Sequence, residues 1–112
     1  MTNITQIFNS PISLIYSNMG LISIRKDISN EEFEELSSNM EQISFRLKNT
    51  NHFKSNMELN EELLEIKNAN ENITYIIQKH PTPNNIKFSI KYMKTVNKLF
   101  NLIITYHIEK KI

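Results

Sequence analysis

The sequence predicts an all-α protein built as an antiparallel four-helix bundle. Apolar residues recur three and four positions apart along nearly the whole chain, the period of one helix face, and no segment alternates strictly as a half-buried strand does. Helix-start signals precede three of these periodic stretches, and short polar or proline-bearing stretches separate them. At 112 residues the chain is long enough to bury one hydrophobic core, so a single helical domain over residues 1–112 is expected. Four amphipathic helices of roughly 20 to 28 residues joined by short loops favour up-down-up-down connectivity. The alternative is a three-helix bundle in which a kinked N-terminal helix packs elsewhere.

The first helix is read over about Asn3 to Lys26, on the stripe Ile4, Ile7, Phe8, Ile12, Ile15, Met19 and Ile22. Pro11 interrupts it. Proline inside a helix removes a hydrogen bond and crowds the preceding turn, so two outcomes stay open. Either the helix kinks at Pro11, or it restarts there with Ser10 as cap and Pro11 at its first position.

Ser29-Asn30-Glu31-Glu32 has the spacing of a capping box and opens a second helix. Its stripe, Phe33, Leu36, Met40, Ile43 and Leu47, keeps coiled-coil spacing, and it is expected to end near Asn49. Ser55-Asn56-Met57-Glu58 repeats the capping-box spacing before a third helix that carries Leu59, Leu63, Ile66, Ile73 and Ile77 on one face. Asn70 falls within that stripe, where a buried asparagine would specify register at a cost in stability, unless Ala69 takes the inward place. His80-Pro81-Thr82-Pro83 ends this helix and starts the fourth, with Thr82 as cap and Pro83 at the first position.

The fourth helix, read over Asn84 to Ile108, is the most unusual. Wound at about 100° per residue, it places Lys87, Lys91, Lys94 and Lys98 within about 60° of one another, with Asn101 and Thr105 on the same strip. Ile86, Ile90, Met93, Phe100 and Ile104 form one apolar stripe, widened by Val96 and Ile103. Phe88, Tyr92, Leu99, Leu102 and Tyr106 form a second. A helix on the outside of a bundle needs an apolar stripe a little over about 100° wide, whereas this one covers roughly 240°. The second stripe must therefore be covered by the first helix or by another chain.

Composition narrows the function classes. With no cysteine, neither a disulfide framework nor a thiolate metal site is available, and a reducing compartment is expected. The first cation is Arg25, so no signal peptide is expected, and the longest aliphatic run, Leu102-Ile103-Ile104, is far short of a membrane span. The expected location is the cytoplasm, that of the host if the protein is viral. Ile, Asn and Lys supply 45 of the 112 residues, against one Ala, one Gly and two Arg. Their codons are AT-rich, so the expected source is an AT-rich genome such as a low-GC bacterium, its phages or plasmids, a virus or a protist. Asparagines within helices are then read as tolerated drift rather than as ligands.

Formal charge is unevenly spread. Residues 1–30 carry +1, residues 31–66 carry −6 through nine glutamates, and residues 67–112 carry +6 through eight lysines. The basic strip Lys87, Lys91, Lys94 and Lys98 permits a nucleic-acid reading in which the lysines follow a phosphate backbone. Against that, arginine is scarce and no helix-turn-helix or aromatic stacking motif is present. The competing reading pairs the lysines with glutamates of neighbouring helices, such as Glu34 and Glu41 or Glu58, Glu62 and Glu65.

Constellations for chemistry are few. His52, His80 and His107 lie in a loop, at a turn and near the C-terminus, and none belongs to a Glu-x-x-His or His-Glu-x-x-His unit, so no metal site and no cofactor are expected. A single glycine, Gly20, leaves no Gly-rich phosphate loop. Arg46 and His52, at the junction of the second and third helices, have a spacing that resembles the Arg-x4–6-His pair of the HEPN ribonucleases, small all-α dimers. The resemblance covers seven residues, and Leu47 follows the arginine where that family usually has a polar residue. It implies a ribonuclease in which Arg46 stabilises a phosphate and His52 acts as acid or base.

The expected function is non-enzymatic: a small helical protein that works by protein–protein interaction, as a homodimeric accessory, inhibitor, immunity or adaptor protein of viral, phage or low-GC bacterial origin. The expected partner surface is Phe88, Tyr92, Leu99, Leu102 and Tyr106, because aromatic anchors within an apolar patch mark interface hot spots. Nucleic-acid binding through the lysine strip and HEPN-like ribonuclease activity are the alternatives.

Overall fold

All four helices form, and the chain is an all-α bundle. The computed structural model describes residues 4–25, 28–49 and 57–109. Helix α1 spans Ile4–Arg25, α2 Asn30–Lys48, α3 Met57–Lys79 and α4 Pro83–Ile104, which runs into a π-helical turn at Thr105–Glu109. Pro11 neither ends nor restarts α1: the helix continues through it, with Pro11 itself buried. The segment expected to cap the third helix, Ser55 and Asn56, lies outside the described residues, as does His52.

Two caps form as their residue types dictate. Ser29 Oγ accepts a hydrogen bond from Glu32 N at 3.2 Å and donates one to Glu32 Oε1 at 3.3 Å, so the cap and the third helical residue hold each other. At the α3–α4 turn, Thr82 Oγ1 accepts from Asn85 N at 3.3 Å with Pro83 next to it, where a missing N–H removes nothing from the helix. Asn85 Nδ2 reaches back to His80 O at 2.8 Å, tying the turn to the end of α3. Thr82→Ala is expected to cost about 1 kcal/mol, the usual worth of a side-chain N-cap, read as a lower midpoint in denaturant titration with an unchanged slope.

The core is a coiled-coil seam on each helix. In α3 the buried residues are Leu59, Leu63, Ile66, Asn70, Ile73 and Ile77, alternating steps of four and three. In α4 the same alternation runs Ile86, Ile90, Met93, Asn97, Phe100 and Ile104 and reaches His107 in the π-turn, all of them buried. Leu36, Met40, Ile43 and Leu47 of α2 and Phe8, Ile15, Met19 and Ile22 of α1 complete one continuous cluster. Where the start of α1 meets the end of α4, Phe8 stacks on Phe100, ring centroids 5.7 Å apart. The alternative in which the first helix packs elsewhere is thus excluded.

Going round the bundle, α1 packs along α3, α3 along α4, α4 along α2, and α2 more briefly along α1. Lys94 meets Glu32 while Arg46 meets Asn101 and Thr105, so α2 and α4 run in the same direction side by side. Glu62, near the start of α3, meets His107, beyond the end of α4, while Asn85 at the start of α4 reaches His80 at the end of α3, so α3 and α4 are antiparallel. Each helix reverses the one before it in the chain, yet α2 and α3, consecutive in sequence, pack little on each other. A polar layer joins α1 to α3: buried Asn18 donates to Asn70 O at 3.0 Å and accepts from Thr74 Oγ1 at 2.5 Å. Asn70 takes the inward place, its Nδ2 donating to Ile66 O at 2.9 Å, while Ala69 packs at the edge of the core.

Candidate functional site

The core side of α4, one flank and part of the other are occupied by its own fold, and the outer side is open. Its heptad stripe fills the core, and the flank bearing Ser89, Val96 and Ile103 is buried as well. The opposite flank, where the lysine strip runs, faces α2. There Lys94 Nζ lies 3.2 Å from Glu32 Oε2 and 3.5 Å from Glu35 Oε2. The hydrogen bond that Lys94 donates to Glu32 raises its pKa above the ordinary lysine value, against the opposing effect of desolvation, and the charges of Glu35 and Glu32 add to the rise. Lys94 is therefore committed within the bundle. Its partners are Glu32 and Glu35 rather than the glutamates expected from sequence, and the strip presents Lys87, Lys91 and Lys98 to the exterior instead of four lysines.

Arg46 is held by the same flank. Its Nη1 donates to Asn101 Oδ1 at 2.7 Å and to Asn101 O at 3.4 Å, and its Nη2 donates to Thr105 Oγ1 at 2.5 Å. A planar guanidinium presents its donors as a fork, and here the fork closes on α4, pinning the C-terminal end of that helix to α2. Asn101 and Thr105, which share the lysine strip, thus serve as acceptors for Arg46. The position of His52 relative to Arg46 lies outside the described residues.

The outer side carries the second apolar stripe. Phe88 is 55% exposed, Leu99 44%, Leu102 64% and Tyr106 62%, while Tyr92 is half-buried against the edge of the core. The first helix, expected as one of two covers for this stripe, packs on α3 and α2 and leaves it bare. Phe88 and Tyr92 meet edge to face, ring centroids 5.8 Å apart. One residue of the face escaped the sequence reading. Exposed Thr95 completes the series 88, 92, 95, 99, 102, 106, which alternates steps of four and three, the coiled-coil period. The same alternation, sought on the outer face as it was on α2, would have found it.

Beside the lower half of this face lies a groove of about 380 Å³ between α3 and α4. Leu99, Leu102, Ile103 and Tyr106 line one side, and Glu58, Glu62 and Glu65 the other. His107 is not among the lining residues; it is buried, 3% exposed, with its Nε2 2.9 Å from Oε2 of Glu62, which lines the groove. One carboxylate oxygen each of Glu58 and Glu62 and a ring nitrogen of His107 all lie within 4.8 Å of one another. Sequence spacing alone led to the expectation of no metal-ligating constellation. The tertiary fold brings together three candidate ligands of two types, two carboxylates of α3 and the imidazole of the π-turn. The step from Phe100 through Ile104 to His107 was a usable signal that this imidazole points inward.

No helix among the described residues is long and apolar enough to cross a membrane. Comparison with protein-family models, with curated proteins and with solved structures gives no match to this chain.

Proposed function

We propose that the chain acts as a homodimeric protein-interaction module, without enzymatic activity, whose two copies pair antiparallel through the outer face of α4. The observation that carries this reading is the symmetry of the exposed stripe. Positions 88, 92, 95, 99, 102 and 106 read the same from either end, so an antiparallel pair sets Phe88 of each copy against Tyr106 of the other. Tyr92 then meets Leu102, and Thr95 meets Leu99. A two-fold interface requires such a self-complementary patch, and a stripe of a/d spacing provides the knobs and holes that antiparallel helices interlock. The large residues at both ends are aromatic, as hot-spot anchors are, and small Thr95 beside Leu99 allows close approach at the centre. An accessory, inhibitor or adaptor role would rest on this dimer presenting its remaining surface to a host protein.

The solution mass tests the dimer. Sedimentation or light scattering is expected to give twice the chain mass of 13.2 kDa, and the dimer is expected to persist in high salt because its seam is apolar. Leu99→Glu and Tyr92→Glu are expected to return the mass to that of one chain with helicity unchanged. Because the chain has no cysteine, register is read directly. A mixture of Thr95→Cys and Leu99→Cys chains is expected to oxidise to the mixed disulfide. A chain that stays monomeric at high concentration overturns the proposal, and self-linking of Phe88→Cys chains overturns the antiparallel register. Under the nucleic-acid alternative, DNA or RNA would bind with an affinity that falls steeply with salt and depends on Lys87, Lys91 and Lys98.

A further inference from the structure

The geometry points to a divalent transition-metal site formed by Glu58, Glu62 and His107, with Zn²⁺ as the ion it fits. Two carboxylates one helical turn apart on α3 converge on a single buried imidazole from the end of α4, their ligand atoms within 4.8 Å of one another. Nε2 lies 2.9 Å from Glu62 Oε2 and so engages one of the two carboxylates. Glu58 brings a second carboxylate oxygen within 4.8 Å of the other two ligand atoms, a spacing that a divalent cation would bridge. Among the described residues neither Glu58 nor Glu62 pairs with a lysine or arginine, while Lys67 and Lys94 pair with other glutamates.

The imidazole distinguishes this cluster from an ordinary acidic surface. His107 occupies a core position of the α4 seam, where the rest of the stripe calls for an apolar side chain, and a buried polar ring there is costly unless its nitrogen is used. Glu62 holds the ring from one side, and Tyr106 packs edge to face on it from another, centroids 4.9 Å apart. The ring is thus oriented before a ligand arrives. The π-helical turn Thr105–Glu109 carries it, a geometry frequent at functional sites in helices.

One nitrogen and two carboxylate oxygens suit a borderline ion. Zn²⁺ takes such ligands at about 2.0–2.2 Å, whereas Mg²⁺ and Ca²⁺ favour all-oxygen shells. A tetrahedral ion with those bonds would separate its donors by about 3.4 Å. Rotation about the side-chain torsions of exposed Glu58 and half-buried Glu62 covers the difference from the spacing seen. With three protein ligands, the remaining coordination position would be left to water on the side of the groove that Glu58 and Glu62 line. All three ligands come from one chain, so the site is independent of the dimer proposed above.

Calorimetric titration of the full chain, free of any affinity tag, tests this. One Zn²⁺ per chain is expected, with Mg²⁺ at least a hundredfold weaker. Glu58→Gln changes an exposed side chain, so the metal-free protein should keep its melting temperature while Zn²⁺ affinity falls tenfold or more. His107→Gln is expected to abolish binding, and His80→Ala, at the other end of the bundle, to leave it unchanged. Should His107→Gln fail to fold, Glu58→Gln decides. Absence of Zn²⁺ binding by the unmodified chain, or binding undiminished by Glu58→Gln, overturns the site.

Discussion

Phe100→Ala is expected to lower the unfolding free energy by about 3–5 kcal/mol, the range found when a fully buried aromatic ring is truncated to a methyl. Phe100 is 0% exposed and stacks on Phe8, also 0% exposed, at 5.7 Å with an interplanar angle of 26°. The loss combines transfer of the ring with the cavity left among α1, α3 and α4, and the stacking term disappears with it. A domain of this size is stable by roughly 5–15 kcal/mol, so the variant should lose a large share of its margin. Its melting temperature should fall on the order of 10–25 °C. Thermal or denaturant unfolding measures this directly, and a loss below about 1 kcal/mol would show that α1 is not seated in the core as described. Phe8→Ala should fall in the same range, and the double variant should lose less than both together because the two rings share one contact.

Asn97→Leu is expected to act in the opposite direction, raising stability by about 1–3 kcal/mol. Asn97 occupies a heptad position of α4 and is 1% exposed, and neither Oδ1 nor Nδ2 has a hydrogen-bond partner among the described residues. A buried amide left unpaired costs about 1–3 kcal/mol, and leucine of similar shape removes that cost and adds apolar burial. The gain should come with a loss of specificity. A lone asparagine in a coiled-coil seam disfavours registers in which it would face apolar residues only, so the leucine variant is expected to populate additional oligomers or alternative helix registers. Unfolding curves give the first effect and solution mass the second. A variant less stable than the parent would mean that the amide makes a contact worth more than its burial costs. Asn18 predicts the contrary sign, since its side chain bridges α1 to α3, donating to the Asn70 carbonyl and accepting from Thr74 Oγ1, and its removal breaks both bonds.

The helices were legible because their signals are local. Ser29 and Thr82 cap where their side chains reach the N–H three residues on, and Pro83 sits where its missing donor is harmless. The seams were legible for a related reason: steps of three and four keep residues on one face of a helix whatever that face meets. Pro11 was ambiguous because its local penalty competes with burial along all of α1, and only the packed bundle decides that competition. The lysine strip misled in part. Charge counting placed lysines opposite glutamates, but it could not say that α2 would lie beside α4 in the same direction, which selects Glu32 and Glu35 for Lys94.

The candidate sites divide along the same line. The surplus apolar stripe of α4 follows from winding one segment, and the sequence by itself determined that α4 has more apolar surface than one core needs. Which partner would be left to cover it was undetermined until α1 packed on α3 and α2, leaving Phe88, Leu99, Leu102 and Tyr106 exposed. Likewise the link between Arg46 and Thr105 spans 59 residues, and that between Glu62 and His107 spans 45. Helix formation is a property of the nearest few residues, so it is written locally in the chain. The meeting of α2 with α4, and of two glutamates with one histidine, depends on how whole helices share a core, and only the tertiary structure decided it.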